Sequence, residues 1–171
     1  LAIDDPASGQ QPLFSADKAV SNLYKKKKFI KAIIKKFKLK NNKKIKEQIK
    51  FIVGKNKKNL FNLEHIIHPL VRKEMKIFLK KKNKLLFLEI PLLLESKLKN
   101  YFDTVIFINA KKKIRLNRYL KKNGDKKTFN LLDNRQLSPV VKKKICDYTI
   151  NNNFSLVVLK KNVKDFMKNY E

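Results

Sequence analysis

Residues 85–96, LLFLEIPLLLES, constrain the fold more than any other stretch of the chain. The first six are apolar except for Glu89, and a short run without polar alternation suits a strand buried on both faces of a parallel sheet. Pro91 ends it, because proline has no N–H to give a central ladder. Glu89 is thereby placed close to the carboxyl end of a strand, where open α/β sheets put their ligands.

A second β-branched and aromatic run, TVIFINA at 104–110, is the other clear strand. With a helical stretch expected between Leu94 and Tyr101, the two runs make a βαβ unit, so the sheet should be parallel. Leu13-Phe14 can end a shorter strand, and Tyr148 to Asn151 can form an edge strand. Ser15 or Asp17 then caps a helix through Ala19, Val20 and Leu23. Asp17 has two readings at this strand-to-helix transition, a helix cap or a carboxylate poised over a substrate hydroxyl.

Between these strands the apolar residues recur at helical spacing. Phe29, Ile30, Ile33, Ile34 and Phe37 predict one amphipathic helix and Ile45, Ile49 and Ile52 a second, linked at Asn41-Asn42, with Gly54 ending the second. Residues 60–82 continue the pattern through Leu63, Ile66, Ile67, Leu70, Val71, Met75, Phe78 and Leu79. Because proline is tolerated in a first turn, one helix is expected to end near Ile67 and another to start at Pro69, with His68 at the junction. His68 is then either a structural histidine or a contact to a phosphate or pantetheine-like group. Residues 25–82 thus propose a small helical lobe that covers a substrate.

Further on, a basic helix carries Ile114, Arg115, Leu116, Arg118, Tyr119 and Leu120. The turn Asn123-Gly124-Asp125 follows, then residues 129–133 and the pair Arg135-Gln136. Arginines on helices flanking a flexible turn suit a lid, since guanidinium forks grip several phosphate oxygens; a solvated basic face is the alternative. A last helix capped by Ser155 presents Leu156, Leu159, Val163, Phe166, Met167 and Tyr170.

Composition narrows the class. The 171 residues suffice for one main unit with a small inserted subdomain. Against 14 Asp and Glu stand 43 Lys and Arg, a net charge of +29 that favours polyanionic partners. The excess is mostly Lys spread along the whole chain beside abundant Asn, Ile, Leu and Phe, the pattern of AT-biased coding, whereas a nucleic-acid arm should be a localised patch. The lone Cys146 allows neither an internal disulfide nor a thiolate metal cluster and fits a reducing cytosol. His65 and His68 lack a third ligand nearby, and no apolar run is long enough to span a membrane. Residues 1–12, LAIDDPASGQQP, read as an irregular tail and not a signal peptide.

Five blocks in order then carry a resemblance: SADKAVSNLY, LEHIIHPLVRKEM, LLFLEIPLLLES, FDTVIFINAKKKIRLNRYLKK and NLLDNRQLSPVVKKKICDYTINN. With their His-Pro pair, acid-Ile-Pro-Leu-Leu-x-Glu segment and Arg-Gln followed by Lys-x-x-x-Asp, residues 13–154 resemble the dephospho-CoA kinase family. The resemblance implies a P-loop kinase fold, with a parallel five-stranded sheet, a helical coenzyme lobe and a lid. In this chain that means a core of 13–24 and 83–171, a lid over about 111–136, and a coenzyme-binding lobe at 25–82. The implied reaction transfers the ATP γ-phosphoryl to the ribose 3′-hydroxyl of dephospho-CoA with Mg2+, the last step of coenzyme A synthesis, in the cytoplasm.

The same resemblance distributes roles. Asp17 matches the second acid of the family's Asp-Ala-Asp motif and would orient or deprotonate the attacking hydroxyl. Glu89 matches an acid at the end of a central strand and joins Asp17 as catalytic. Arg118, Lys122, Arg135 and Gln136 would bind ATP and its phosphates, with Lys122 placing a point charge where the family has a second arginine. His68, Pro91, Leu92 and Glu95 would meet the coenzyme substrate.

Two departures stand out. Ser15 replaces the first acid of Asp-Ala-Asp. The family's Gly-rich loop ending in Gly-Lys-Ser or Gly-Lys-Thr, whose N–H groups and Lys cradle phosphates, does not occur; residues 6–11 offer one Gly and no Lys, and Gly54-Lys55 is followed by Asn56. The chain, which opens on Leu, is accordingly expected to be amino-terminally incomplete, without the central strand and the phosphate cradle, so that Glu89 faces a half-built nucleotide pocket. Three alternatives stay open: another small P-loop nucleotide kinase, a coenzyme-binding protein without catalysis, and a basic nucleic-acid-binding protein.

Overall fold

A computed structural model describes residues 12–42 and 44–170, so the expected tail at 1–12 lies outside the described residues except for Pro12. Two compact units divide the chain, Leu1–Pro91 and Leu92–Glu171. This boundary groups the first two strands with the helices, and differs from a partition by lobe and core.

In the first unit, β1 (Leu13–Ser15) leads directly into α1 (Ala16–Leu23). Three helices follow, α2 (Lys27–Phe37), α3 (Ile45–Lys55) and α4 (Lys57–Phe78), and then β2 (Phe87–Glu89). β2 lies parallel to β1 in the register Leu13↔Phe87, Phe14↔Leu88, Ser15↔Glu89. The helices close because their apolar stripes meet: Leu23, Phe29, Ile33, Ile45, Ile49, Leu63 and Ile67 form one buried cluster. Phe14 ties the strand pair to the end of α4, its ring 5.6 Å from that of Phe78. Ile33 is 0% exposed at the centre of this cluster. Ile33→Ala is expected to cost about 2–5 kcal/mol, read as a lower denaturation midpoint with an unchanged slope.

The second unit holds β3 (Ile106–Asn109), α5 (Lys112–Leu120), α6 (Lys126–Asp133), α7 (Pro139–Ile145), β4 (Tyr148–Asn151) and α8 (Leu156–Met167). β3 and β4 are parallel from Ile106↔Tyr148 to Asn109↔Asn151. Asp147 locks the entry of this pair, Oδ2 accepting the Val105 N–H at 2.8 Å and Oδ1 facing the Lys99 ammonium at 3.3 Å. α8 covers the strands through Phe166, whose ring lies 4.9 Å from Tyr148, and the Tyr170 hydroxyl bonds that of Thr104 at 3.0 Å.

The architecture is α/β with parallel strands flanked by helices, as expected, and several elements depart from the sequence reading. The described strands form two parallel pairs in separate sheets, instead of one five-stranded sheet, so the runs at 85–90 and 104–110 do not share a sheet. With one partner strand each they are only partly covered: β2 is three residues long, half-buried and ends on an exposed Glu89, and not the fully buried six-residue strand its composition suggests. The helix expected between Leu94 and Tyr101 is a series of turns over 91–97 followed by a 3₁₀ turn, Lys99–Tyr101.

α4 also runs unbroken through Pro69 for 22 residues, so His68 is no junction. The missing Pro69 N–H withdraws one bond from the His65 carbonyl, but both residues are exposed, so water can serve that carbonyl. Gly54 lies inside α3, which ends at Lys55, and Asn56 caps α4 through a bond from the Lys58 N–H at 2.8 Å. Leu156, assigned to the apolar stripe of α8, is 59% exposed. α7 is a further helix beyond the sequence expectations, started by a Ser138 cap and an N1 proline, Pro139.

Candidate active site

Parallel pairing decides where the first unit's carboxylates go. β1 and β2 end together because Ser15 and Glu89 are register partners, and α1 begins one residue later. Glu89 therefore closes β2 at the carboxyl edge of the pair, and Asp17 sits in the first turn of α1 just above it. The cap question resolves in favour of Ser15: it is buried at 7% exposure and its Oγ accepts the Lys18 N–H at 3.4 Å. Asp17 is released from that duty. Although Asp17 as a residue stays exposed, loss of water around its carboxyl raises its proton affinity above the ordinary aspartate value, and the neighbouring Glu89 charge adds to the rise. An aspartate that feels a neighbouring carboxylate at a strand end is suited, together with it, to hold a cation or to take a proton from a hydroxyl.

His68 and Pro69 lie exposed on α4, while His65 packs against Phe61 with ring centroids 4.6 Å apart. Pro91 is exposed at the end of the first unit. Leu92 opens the second in the left-handed region at φ 57°, and the turn it starts is closed by the Ser96 N–H bonding the Leu92 carbonyl at 2.9 Å. A branched residue in that region carries backbone strain, and such strain gathers at binding segments.

The second unit builds a basic hairpin from α5 and α6. Its turn is a packed one: Asn123 adopts φ 60°, and Gly124 lies beneath Tyr119 so closely that a Cβ there would stand 2.1 Å from the ring. Asp125 caps α6 by accepting the Thr128 N–H at 2.8 Å. Asp133 ties the two helices, Oδ1 taking the Arg115 Nη1 bond at 2.5 Å and Oδ2 facing Lys112 Nζ at 2.9 Å. Burial pushes the Asp133 carboxyl up, but the hydrogen bonds and charges of Lys112 and Arg115 outweigh it and hold it below the ordinary value. A carboxyl lowered in the folded state gives stability that is present above about pH 4 and lost as pH falls through its folded value. Asp133→Asn is therefore expected to cost roughly 1–3 kcal/mol at neutral pH, discounted for the partly exposed cations, and progressively less as pH falls below about 4; denaturation midpoints across pH check it.

The structure places the remaining basic candidates at different tasks. Arg118 donates to the carbonyls of Asn152 at 3.0 Å and Phe154 at 3.3 Å, so its fork braces the chain leaving β4. Lys122 is exposed in the turn after α5. Arg135 and Gln136 lie in the link from α6 to α7, where Gln136 Oε1 accepts from Lys142 Nζ at 3.0 Å. Glu95 is turned into the same unit, its Oε1 accepting the Leu137 N–H at 2.7 Å beside Lys142 Nζ at 3.1 Å. Asp17 and Glu89 are thus brought together in one unit, and Glu95 joins the Arg135-Gln136 link in the other. Asp133 and Lys142 were missed by sequence reasoning. Lys142 is one of three consecutive lysines and has no mark of its own, while the scarcity of acids was a usable signal for Asp133.

Among the described residues no group of three or more His, Cys, Asp or Glu could hold a metal ion, and no helix is long and apolar enough to cross a membrane.

Comparison with known proteins shows the family to which the chain belongs. Residues 10–157 match the family profile described as dephospho-CoA kinase. The dephospho-CoA kinase of Bartonella henselae is 34% identical over 146 residues, covering 81% of this chain and 75% of that protein. Among solved structures, TT1252 from Thermus thermophilus superposes with a TM-score of 0.73 at 20% identity, over 93% of this chain and 84% of that one. A dephospho-CoA kinase from Campylobacter jejuni gives a TM-score of 0.62 at 24% identity, over 94% and 85%. These two likenesses establish the fold.

Proposed function

The chain belongs to the dephospho-CoA kinase family of ATP-dependent kinases, and from that premise we propose that its strand-end acids serve the acceptor hydroxyl while its arginines serve the nucleotide. The reaction is transfer of the ATP γ-phosphoryl to the ribose 3′-hydroxyl of dephospho-CoA. Phosphoryl transfer asks the protein for alignment and charge neutralisation more than for covalent chemistry. The observation that carries the reading is the Ser15↔Glu89 register, which sets Asp17 and Glu89 at one edge of a parallel pair with their carboxyls electrostatically coupled.

Asp17 accepts the proton of the attacking hydroxyl or aligns it, its raised proton affinity making it the better base of the two roles open to an ordinary aspartate. Magnesium fits this pair by chemistry: it is a hard cation held by one or two carboxylates together with substrate phosphates, and Asp17 and Glu89 offer oxygen donors with no soft ligand between them. When bound there it would neutralise charge on the transferred phosphate. Arg118, Lys122, Arg135 and Gln136 are assigned to the nucleotide, and His68, Pro91 and Leu92 to the coenzyme. The parts divide as a core with a lid over about 111–136 and a helical lobe at 25–82, working in the cytoplasm.

Incubating the chain with ATP, Mg2+ and a panel of acceptors tests the reading. Coenzyme A should form from dephospho-CoA together with ADP, and nucleoside monophosphates should stay unphosphorylated. Preferential phosphorylation of a nucleoside monophosphate would replace it with a different kinase specificity.

A further inference from the structure

Arg135 and Gln136 occupy the short non-helical link between α6 and α7, where no continuous helical ladder fixes them. The link is nevertheless fastened at both ends. On the α6 side Asp133 binds Arg115 and Lys112. On the other side one carboxylate oxygen of Glu95 takes both the Leu137 backbone N–H, at 2.7 Å, and the Lys142 ammonium, at 3.1 Å. That ammonium also donates to Gln136 Oε1 at 3.0 Å and lies 5.7 Å from the centre of the Phe107 ring.

The Glu95 and Lys142 side chains are 15% and 11% exposed, and Glu95 Oε2 is buried with no hydrogen-bond partner. Burying a charge pair with one oxygen unsatisfied is a poor way to gain stability, since desolvation offsets most of the attraction. What such a pair does supply is a fixed geometry for the groups bonded to it.

We propose that Glu95 is a positioning residue for the nucleotide: the Glu95–Lys142 pair clasps the Arg135-Gln136 link in the conformation that meets ATP, and Glu95 makes no contact with dephospho-CoA. The inference rests on the assignment of Arg135 and Gln136 to the nucleotide, and it replaces the substrate-wall role that the sequence assigns to Glu95.

The test titrates ATP and dephospho-CoA separately into the full chain, followed by two-dimensional amide spectra that register weak binding, with amide exchange and thermal melting measured alongside. In Glu95→Ala and Lys142→Met, ATP should bind about tenfold more weakly and the Leu137 amide exchange about tenfold faster, the loss of one charge-assisted hydrogen bond, with dephospho-CoA binding unchanged. Glu95→Gln keeps an oxygen for the Leu137 N–H and should recover most of the ATP affinity. Loss of dephospho-CoA binding in Glu95→Ala makes Glu95 a substrate contact and overturns the proposal. So does a parallel fall in both affinities and in Tm without rescue by Glu95→Gln, which is a purely structural role. Arg135→Ala separates the layers. If it abolishes ATP binding while Glu95→Ala does not, the clasp fails and the nucleotide assignment stands; if it leaves ATP binding intact, the assignment fails and the clasp with it.

Discussion

Asp17→Asn is expected to lower single-turnover formation of coenzyme A by about 10²–10⁴-fold, the range a positioned general base contributes, while leaving dephospho-CoA bound. The expectation follows from what Asp17 does not do. Ser15 caps α1, so Asp17 is not the cap, and its carboxyl is held in a setting unfavourable to its charge by lost hydration and by Glu89, which outweigh its place in the first turn. Such a group is at its most favourable to the fold when protonated: its contribution is full below the ordinary carboxylate range, near pH 4, and is lost as pH rises through its raised folded value. Asp17→Asn, neutral at every pH, should therefore melt slightly higher than the native chain at pH 7 and level with it below about pH 4. Loss of activity with gain of stability distinguishes a catalytic carboxylate from a cap, whose removal lowers both. In the native chain the acid limb of the activity profile should lie above the ordinary aspartate range, and Glu89→Gln should move that limb toward lower pH.

A larger effect is expected from the phosphate cradle. No Gly-x-x-x-x-Gly-Lys-Ser/Thr occurs in the 171 residues, and we propose that full turnover needs a cradle they do not carry. A single preorganised donor at a developing charge is worth 10²–10³ in rate, so a loop of several N–H groups and a lysine should be worth at least about 10³. Joining a strand and such a loop ahead of β1 is expected to raise kcat/KM for ATP by that factor and to leave dephospho-CoA affinity little changed. Turnover by the 171 residues alone at the rate of ordinary kinases, about 1–100 s⁻¹, would contradict the claim.

The local chemistry of this fold was open to reading because it obeys short-range rules. Tyr148 to Asn151 and the Ser155 cap follow from β-propensity and capping, and the 25–58 helices from apolar spacing. Glu89 was placed at a strand end by Pro91 alone, and the register with Ser15 puts it there. What escaped depends on partners distant in sequence. The run at 85–90 looks fully buried because Leu and Phe dominate it, yet among the described residues one strand pairs with it. Pro69 predicts a break by its own geometry, and the continuous α4 overrides it where solvent can satisfy the orphaned carbonyl. Asp133 meets Arg115 across 18 residues of chain and Glu95 meets the Leu137 N–H across 42, distances over which composition carries no pairing signal.

Calorimetric titration of the chain with dephospho-CoA, beside AMP and a single-stranded RNA at physiological salt, tests the central claim without requiring turnover. The predicted result is saturable one-to-one binding of dephospho-CoA, markedly weaker binding of AMP, and RNA binding that disappears as salt rises. Tight AMP or RNA binding by a chain indifferent to dephospho-CoA would contradict the account.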